Sequence, residues 1–136
     1  MGDYQKPLPV VNEDSRKFWE GCKEHRLVIQ RCKDCRKFIF YPRSLCPECM
    51  SDNIEWVDSS GKGTIYSYTT IWRAPNNDFL KDVPYTIVLV DLEKNVRLMS
   101  WIVDCKPEDV HVGMEVEVVY DDVTNAVTLP KFRPIK

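Results

Sequence analysis

CKDCRKFIFYPRSLCPEC, residues 32–49, carries two Cys-x-x-Cys pairs separated by ten residues. Cys32, Cys35, Cys46 and Cys49 thereby offer four soft thiolate ligands from two tight turns, the donor set and spacing of a tetrahedral Zn(II) site. The stretch between them, Phe38-Ile39-Phe40-Tyr41-Pro42, is apolar enough to pack a small hairpin beneath an ion. A subdomain this short has too little core to fold unaided, so a metal would supply folding free energy. Four thiolates leave no open position for water, which makes the expected zinc a structural staple and not a catalyst.

Two other readings compete. A rubredoxin-type iron centre uses the same ligands, and Cys46-Pro47-Glu48-Cys49 suits it. Such knuckles carry glycine directly after each pair, where the backbone turns left-handed. Arg36 and Met50 stand there instead, which argues for zinc over iron. A thioredoxin-like redox role expects a pair at the start of a long helix, and neither pair has one. Cys22 and Cys105 fall outside the set and read as small buried residues. A nucleophilic cysteine needs a base, for which the chain has only His25 and His111. Cys22 and His25 are close in sequence, but that spacing does not establish geometry. No Ser-His-Asp order, phosphate-cradling glycine loop or carboxylate pair stands out, so no catalytic residue is assigned.

Upstream, residues 1–11 contain Pro7 and Pro9 without a clear period and read as an extended arm. Asn12 to about Glu24 reads as a helix, with Asn12 as N-cap, Glu13 and Asp14 in the first turn, and Phe18 and Cys22 on one face. Gly21 weakens it by ~1 kcal/mol relative to Ala. Leu27–Gln30 then reads as a short strand. Beyond Gly61 and Gly63, which mark a junction, the period changes to two. Thr64–Trp72, Tyr85–Leu92, Val96–Val103, Met114–Tyr120 and Ala126–Phe132 read as strands. The second is almost wholly apolar, as if buried on both faces, and Glu93-Lys94-Asn95 is expected to turn a hairpin into the third.

Five strands with one long irregular connection, Arg73–Pro84, make a small antiparallel barrel of the OB type. A sandwich would want about seven strands. The fold class is therefore small and mostly β with some α. Residues 1–30 form the arm and helix, 31–60 a rubredoxin-like zinc ribbon, and 61–136 a five-stranded OB-fold barrel. Connections as long as Arg73–Pro84 tend to be functional or disordered, and Phe79 and Leu80 within it either pack back on the barrel mouth or serve a partner.

A chain of 136 residues makes one ordinary domain or two small ones. No apolar run approaches the ~20 residues of a membrane span, and no signal-peptide core opens the chain. A reducing cytoplasm is expected, where six cysteines favour metal over disulfides. Net charge is only −2, yet residues 16–43 hold nine Lys/Arg against three acids, while residues 61–136 hold nine against eleven. A basic front suggests an anionic partner there; a merely solvated surface is the alternative.

The order of motifs resembles a known family. Phe18-Trp19-Glu20 comes first, then Leu27-Val28-Ile29-Gln30-Arg31-Cys32, Tyr41-Pro42-Arg43 and Cys46-Pro47-x-Cys49. Gly63-Thr64-Ile65-Tyr66-Ser67-Tyr68-Thr69, Pro84-Tyr85 and His111-Val112-Gly113-Met114-x-Val116 follow. From about residue 12 the chain is similar to the acyl-CoA-associated zinc-ribbon/OB-fold family, long known as domain of unknown function thirty-five. It departs from the family in lacking glycine at Arg36 and Met50.

The resemblance implies a non-catalytic accessory subunit. Members join thiolase-fold enzymes, among them acetyl-CoA acetyltransferases, a benzoylsuccinyl-CoA thiolase and thiolase-like aldolases of steroid side-chain breakdown; some accompany enoyl-CoA hydratases. A thiolase-fold catalytic subunit is the implied partner in a hetero-oligomer, with acyl-CoA as substrate and CoA enclosed at the interface. Arg31, Arg43, Arg73 and Phe79 are the candidate contacts to CoA or partner, and Trp19 and Trp72 are further candidates for the interface. A second reading follows from the barrel, since OB folds often bind single-stranded nucleic acid and Tyr66, Tyr68 and Trp72 could form a stacking platform. Against it, the barrel half is net acidic where a phosphate-tracking groove should be basic. A third reading is a free-standing acyl-CoA hydrolase using Cys22 or His25.

Overall fold

The helix begins later than the sequence suggests. In the computed structural model, which describes residues 6–92 and 96–135, α1 runs Arg16–Lys23. Asn12 and Ser15 first close a turn on each other: the Ser15 amide donates to Asn12 Oδ1 at 2.9 Å and the Asn12 amide to Ser15 Oγ at 3.2 Å. Ser15, not Asn12, takes the N-cap position. Phe18, Gly21 and Cys22 form the buried face. Gly21 is there for space, because a Cβ would stand 2.9 Å from both the Arg26 carbonyl oxygen and Val28 Cγ2. The helix ends in a Schellman turn, with the Arg26 amide donating to Gly21 O at 2.8 Å and the His25 amide to Cys22 O at 2.9 Å. His25 occupies the left-handed position at φ 60° that glycine usually takes.

β1 (Val28–Cys32), β2 (Phe38–Ile39) and β3 (Ile54–Asp58) form an antiparallel sheet in the order β2-β1-β3. β3 has no counterpart in the sequence reading. It is specified by its partner, pairing along its whole length from Val28↔Asp58 to Cys32↔Ile54.

The barrel comprises β4 (Lys62–Ile71), β5 (Tyr85–Asp91), β6 (Arg97–Ile102), β7 (Glu115–Asp122) and β8 (Thr128–Pro134). It closes in the order β4-β5-β6-β8-β7, with β7 returning to β4. The expectation of a fully antiparallel barrel fails at one seam: β6 and β8 run parallel at Ile102↔Phe132, as an OB barrel's Greek-key closure requires. Ile65, Val88, Val90, Leu98, Ile102, Val116 and Phe132 fill the interior. β5 is not buried on both faces. Thr86, Val88 and Val90 point inward, while Ile87 and Leu89 alternate outward and stay half-buried, because a barrel strand has only one interior face. The turn expected at Glu93–Asn95 lies outside the described residues, as do residues 1–5 of the arm.

The long connection packs back on the barrel through Phe79, whereas Leu80 stays exposed. Asn76 Oδ1 accepts from the Asp78 amide at 2.9 Å and caps a 3₁₀ turn over Asn77–Phe79. Phe79 then rests against Tyr85 and Trp101, with ring centroids 5.8 and 6.2 Å away. Helix, ribbon and barrel converge on Phe40, which meets Phe18 edge-on at 5.6 Å and packs against both the helix cluster and the barrel core. Among the described residues, no helix is long and apolar enough to cross a membrane.

Candidate metal centre and adjoining cleft

The four knuckle sulfurs all lie within 4.8 Å of one another. Cys32 and Cys49 Sγ are 3.6 Å apart, as are Cys35 and Cys46 Sγ. Four sulfurs placed tetrahedrally ~2.3 Å from one ion stand about 3.8 Å apart, so the residues fit a metal of zinc's size. The Arg36 amide donates to Cys32 O at 2.9 Å and the Met50 amide to Cys46 O at 2.8 Å, closing the two turns. The Cys32 thiol is drawn down to about 7, chiefly by the Cys35 amide, which donates to its sulfur at 3.5 Å.

Arg36 and Met50 adopt φ of 65° and 63°. The knuckles therefore make their left-handed turns without glycine, and the missing glycines do not separate zinc from iron. The two halves of the ribbon are tied further by Asp34, which accepts from the Ser51 hydroxyl and from Asn53 Nδ2. These bonds hold the Asp34 carboxyl below its ordinary range.

Gln30 holds the segment between the knuckles in place. Its side chain is buried on β1; Nε2 donates to Arg43 O at 2.8 Å and Oε1 accepts from the Arg43 amide at 2.8 Å. The sequence reading missed this role, because a glutamine in a short strand carries no signal of the loop it will meet.

Beside this segment lies a cleft of about 370 Å³. Phe40, Tyr41 and Pro42 form one wall, Phe18 and Trp19 of α1 another, and Met99 and Trp101 of β6 with Phe79 the floor and far side. Lys6 and Lys131 stand 5.5 and 4.9 Å from the Trp101 ring centroid. Each is ion-paired at 2.6 Å, Lys6 to Asp82 and Lys131 to Asp121.

The structure does not gather the four expected contact residues into one wall. Phe79 lines the cleft, and Arg31, Arg43 and Arg73 do not. Arg31 sits half-buried on β1 with its guanidinium 5.8 Å from the Phe38 ring. Arg43 is exposed, its Nε donating to Tyr41 O at 3.1 Å, and Arg73 is exposed on the long connection. Trp19 is half-buried in the cleft, whereas Trp72 is exposed. The Tyr66 ring is covered by the Arg97 guanidinium at 3.5 Å, and Arg97 is in turn bound to Asp91 at 2.6 Å.

Cys22 is fully buried, and burial pushes its thiol up to about 12. His25 turns towards the barrel, with Nε2 3.1 Å from both Asp122 oxygens and its ring stacked on Tyr120 at 4.9 Å. His111 is exposed, with Nδ1 3.2 Å from Asp109 O.

Residues 19–55 match the family described as the ChsH2 rubredoxin-like zinc ribbon domain, and residues 56–121 that described as the ChsH2 C-terminal OB-fold domain. A DUF35 domain-containing scaffold protein of Methanocaldococcus jannaschii is 40% identical, covering 87% of this chain and 89% of that protein. A probable enoyl-CoA hydratase alpha subunit of Thermomonospora curvata is 35% identical over 95% of this chain, which spans 40% of that protein's length. Benzoylsuccinyl-CoA thiolase subunit BbsA of Thauera aromatica is 28% identical over 68% of this chain and 62% of that protein. A solved chain of an Ltp2–ChsH2(DUF35) aldolase superposes with a TM-score of 0.85 at 35% identity, covering 93% of this chain and 98% of that one. The zinc-ribbon match favours zinc where the knuckle backbone alone did not. Over nearly its whole length, then, this chain belongs to the ChsH2/DUF35 family of zinc-ribbon and OB-fold proteins.

Proposed function

We propose that this chain is a zinc-containing, non-catalytic accessory subunit that scaffolds a thiolase-fold acyl-CoA enzyme in a hetero-oligomer. The observation that carries this reading is the superposition of nearly the entire chain on a DUF35 chain from an aldolase complex. Likeness to a thiolase subunit supports the thiolase assignment within it. The same likenesses also favour a second partner class, an acyl-CoA aldolase or hydratase.

Catalysis falls to the partner in this reading. Thiolytic chemistry needs a nucleophilic cysteine, a base and an oxyanion hole. Cys22 is sealed with its thiol at about 12, and the ribbon cysteines are committed to the metal centre. Zinc holds the ribbon, and Arg31, Arg43, Arg73 and Phe79 meet CoA or acids of the partner at the subunit boundary. The reducing cytoplasm keeps the thiolates available.

The test is affinity capture of the tagged chain from its host, with partners identified by mass spectrometry and zinc measured on the same sample. A stoichiometric thiolase-fold protein with about one zinc per chain is expected. An aldolase or hydratase subunit in its place moves the assignment to the second partner class. A metal-loaded chain that captures single-stranded nucleic acid and no enzyme overturns both.

A further inference from the structure

The loop that joins the two cysteine knuckles is also a wall of the aromatic cleft. Cys35 and Cys46 anchor its two ends at the metal centre, and Phe40, Tyr41 and Pro42 lie midway along it, facing the cleft. The Arg43 main chain beside them is held by Gln30. The opposite side is built differently. Trp101 stands on a barrel strand and stacks on Tyr85 at 4.3 Å and 23°, a platform that does not depend on the ribbon.

The charged side chains that line the cleft, and the Ser100 hydroxyl, already have partners. Lys6 and Lys131 are matched by Asp82 and Asp121, and the Ser100 hydroxyl donates to Pro130 O at 2.6 Å. Among the described residues that line it, no unbalanced charge is left to recruit an ion, while rings line several sides. A volume of about 370 Å³ lies within the range of small-molecule sites.

We propose that this cleft binds the flat, uncharged apolar group of a small molecule, and that metal in the ribbon sets its affinity by fixing the Phe40–Pro42 wall. Metal and ligand then act on each other without contact. The Cys-anchored loop is their common element, and linkage makes the coupling reciprocal. This goes beyond the accessory-subunit reading and does not depend on the partner's identity.

N-phenylnaphthylamine, a neutral flat fluorophore that brightens in apolar surroundings, serves as the probe on the full chain. Saturable binding to the zinc-loaded protein is expected. In a competition titration with a chromophoric chelator, saturating probe should raise zinc affinity about tenfold. Met99→Trp, which fills the cleft from β6, should abolish probe binding and leave zinc content unchanged. Gln30→Leu keeps all four cysteines but frees the wall, and should weaken the probe severalfold with zinc still bound. If Gln30→Leu does not fold, the wild-type titrations decide alone. Identical zinc affinity with and without probe overturns the coupling. Absence of saturable binding to the zinc-loaded wild type, or binding that survives Met99→Trp, overturns the site.

Discussion

Gln30 and Arg43 pair as two strand residues would, except that one side of the pair is a side chain. The Gln30 amide group donates to Arg43 O and accepts from the Arg43 amide, both at 2.8 Å, from a buried position on β1. Each bond contributes about 0.5–1.5 kcal/mol, and leaving the Arg43 main chain without them costs more than the bonds are worth. Gln30→Leu should therefore lower unfolding stability by about 2 kcal/mol, read as a drop in denaturation midpoint at fixed zinc. An unchanged midpoint would show that water satisfies Arg43 equally well.

Arg36 and Met50 occupy left-handed backbone, which disfavours any residue bearing a Cβ by ~1 kcal/mol or more. Glycine removes that strain but adds freedom to the unfolded chain. Arg36→Gly and Met50→Gly should each stabilise the zinc-loaded protein by about 0.5 kcal/mol, measured by denaturant titration. Loss of stability in both would mean that their side chains contribute more than the backbone strain costs.

Cys46 is fully buried at the metal centre. Serine at this position should release most of the metal and unfold β2 and the knuckles, while the barrel keeps its own core. Zinc content together with amide NMR checks both halves: ribbon resonances should collapse towards random-coil shifts and those of β4–β8 should stay dispersed. Complex formation with the partner should fail in the same variant. Intact binding by the metal-free protein would remove the ribbon from the scaffold.

Asp122 joins the helix end to the barrel. The Thr128 hydroxyl, donating to it from a buried position, holds its carboxyl below the ordinary range first, and His25 does so second. A depressed carboxyl stabilises the fold above its unfolded value, near pH 4, and that contribution disappears as pH falls through the folded value. Asp122→Asn should lose stability at neutral pH, and the gap to wild type should close below about pH 4. A gap that stays constant across an acid titration would assign the effect to packing instead of charge.

Gly63 of β4 lies directly against the end of β5. A Cβ there would stand 2.3 Å from Asp91 O and 2.8 Å from Val90 Cγ1. Gly63→Ala should force the two strands apart and cost about 2–3 kcal/mol of barrel stability, seen as a lowered Tm with zinc content unchanged.

Much of this was legible in the chain itself, and for local reasons. The four cysteines declare a metal centre through spacing alone, since two ligands from one tight turn need only two residues between them. Strands β4 and β6–β8 are betrayed by period-two patterning, β5 by its apolar run, and Phe18 and Cys22 by their i, i+4 interval. What escaped was set by contacts between distant segments. β3 exists because β1 offers it a partner, and Ser15 takes the cap because Asn12 is spent on a turn. β5 looks buried on both faces in sequence because Ile87 and Leu89 are as apolar as their neighbours, and only barrel closure assigns them outward. The knuckles turn left-handed at Arg36 and Met50 because ring closure on Cys32 O and Cys46 O outweighs a residue preference of ~1 kcal/mol. The cleft is wholly tertiary: its walls come from α1, the knuckle loop and β6, and no local pattern encodes that Phe18, Phe40 and Trp101 will surround one space. Ligand type and strand period are properties of neighbouring residues along the chain, whereas pairing seam, wall and cleft follow from packing of residues far apart in it.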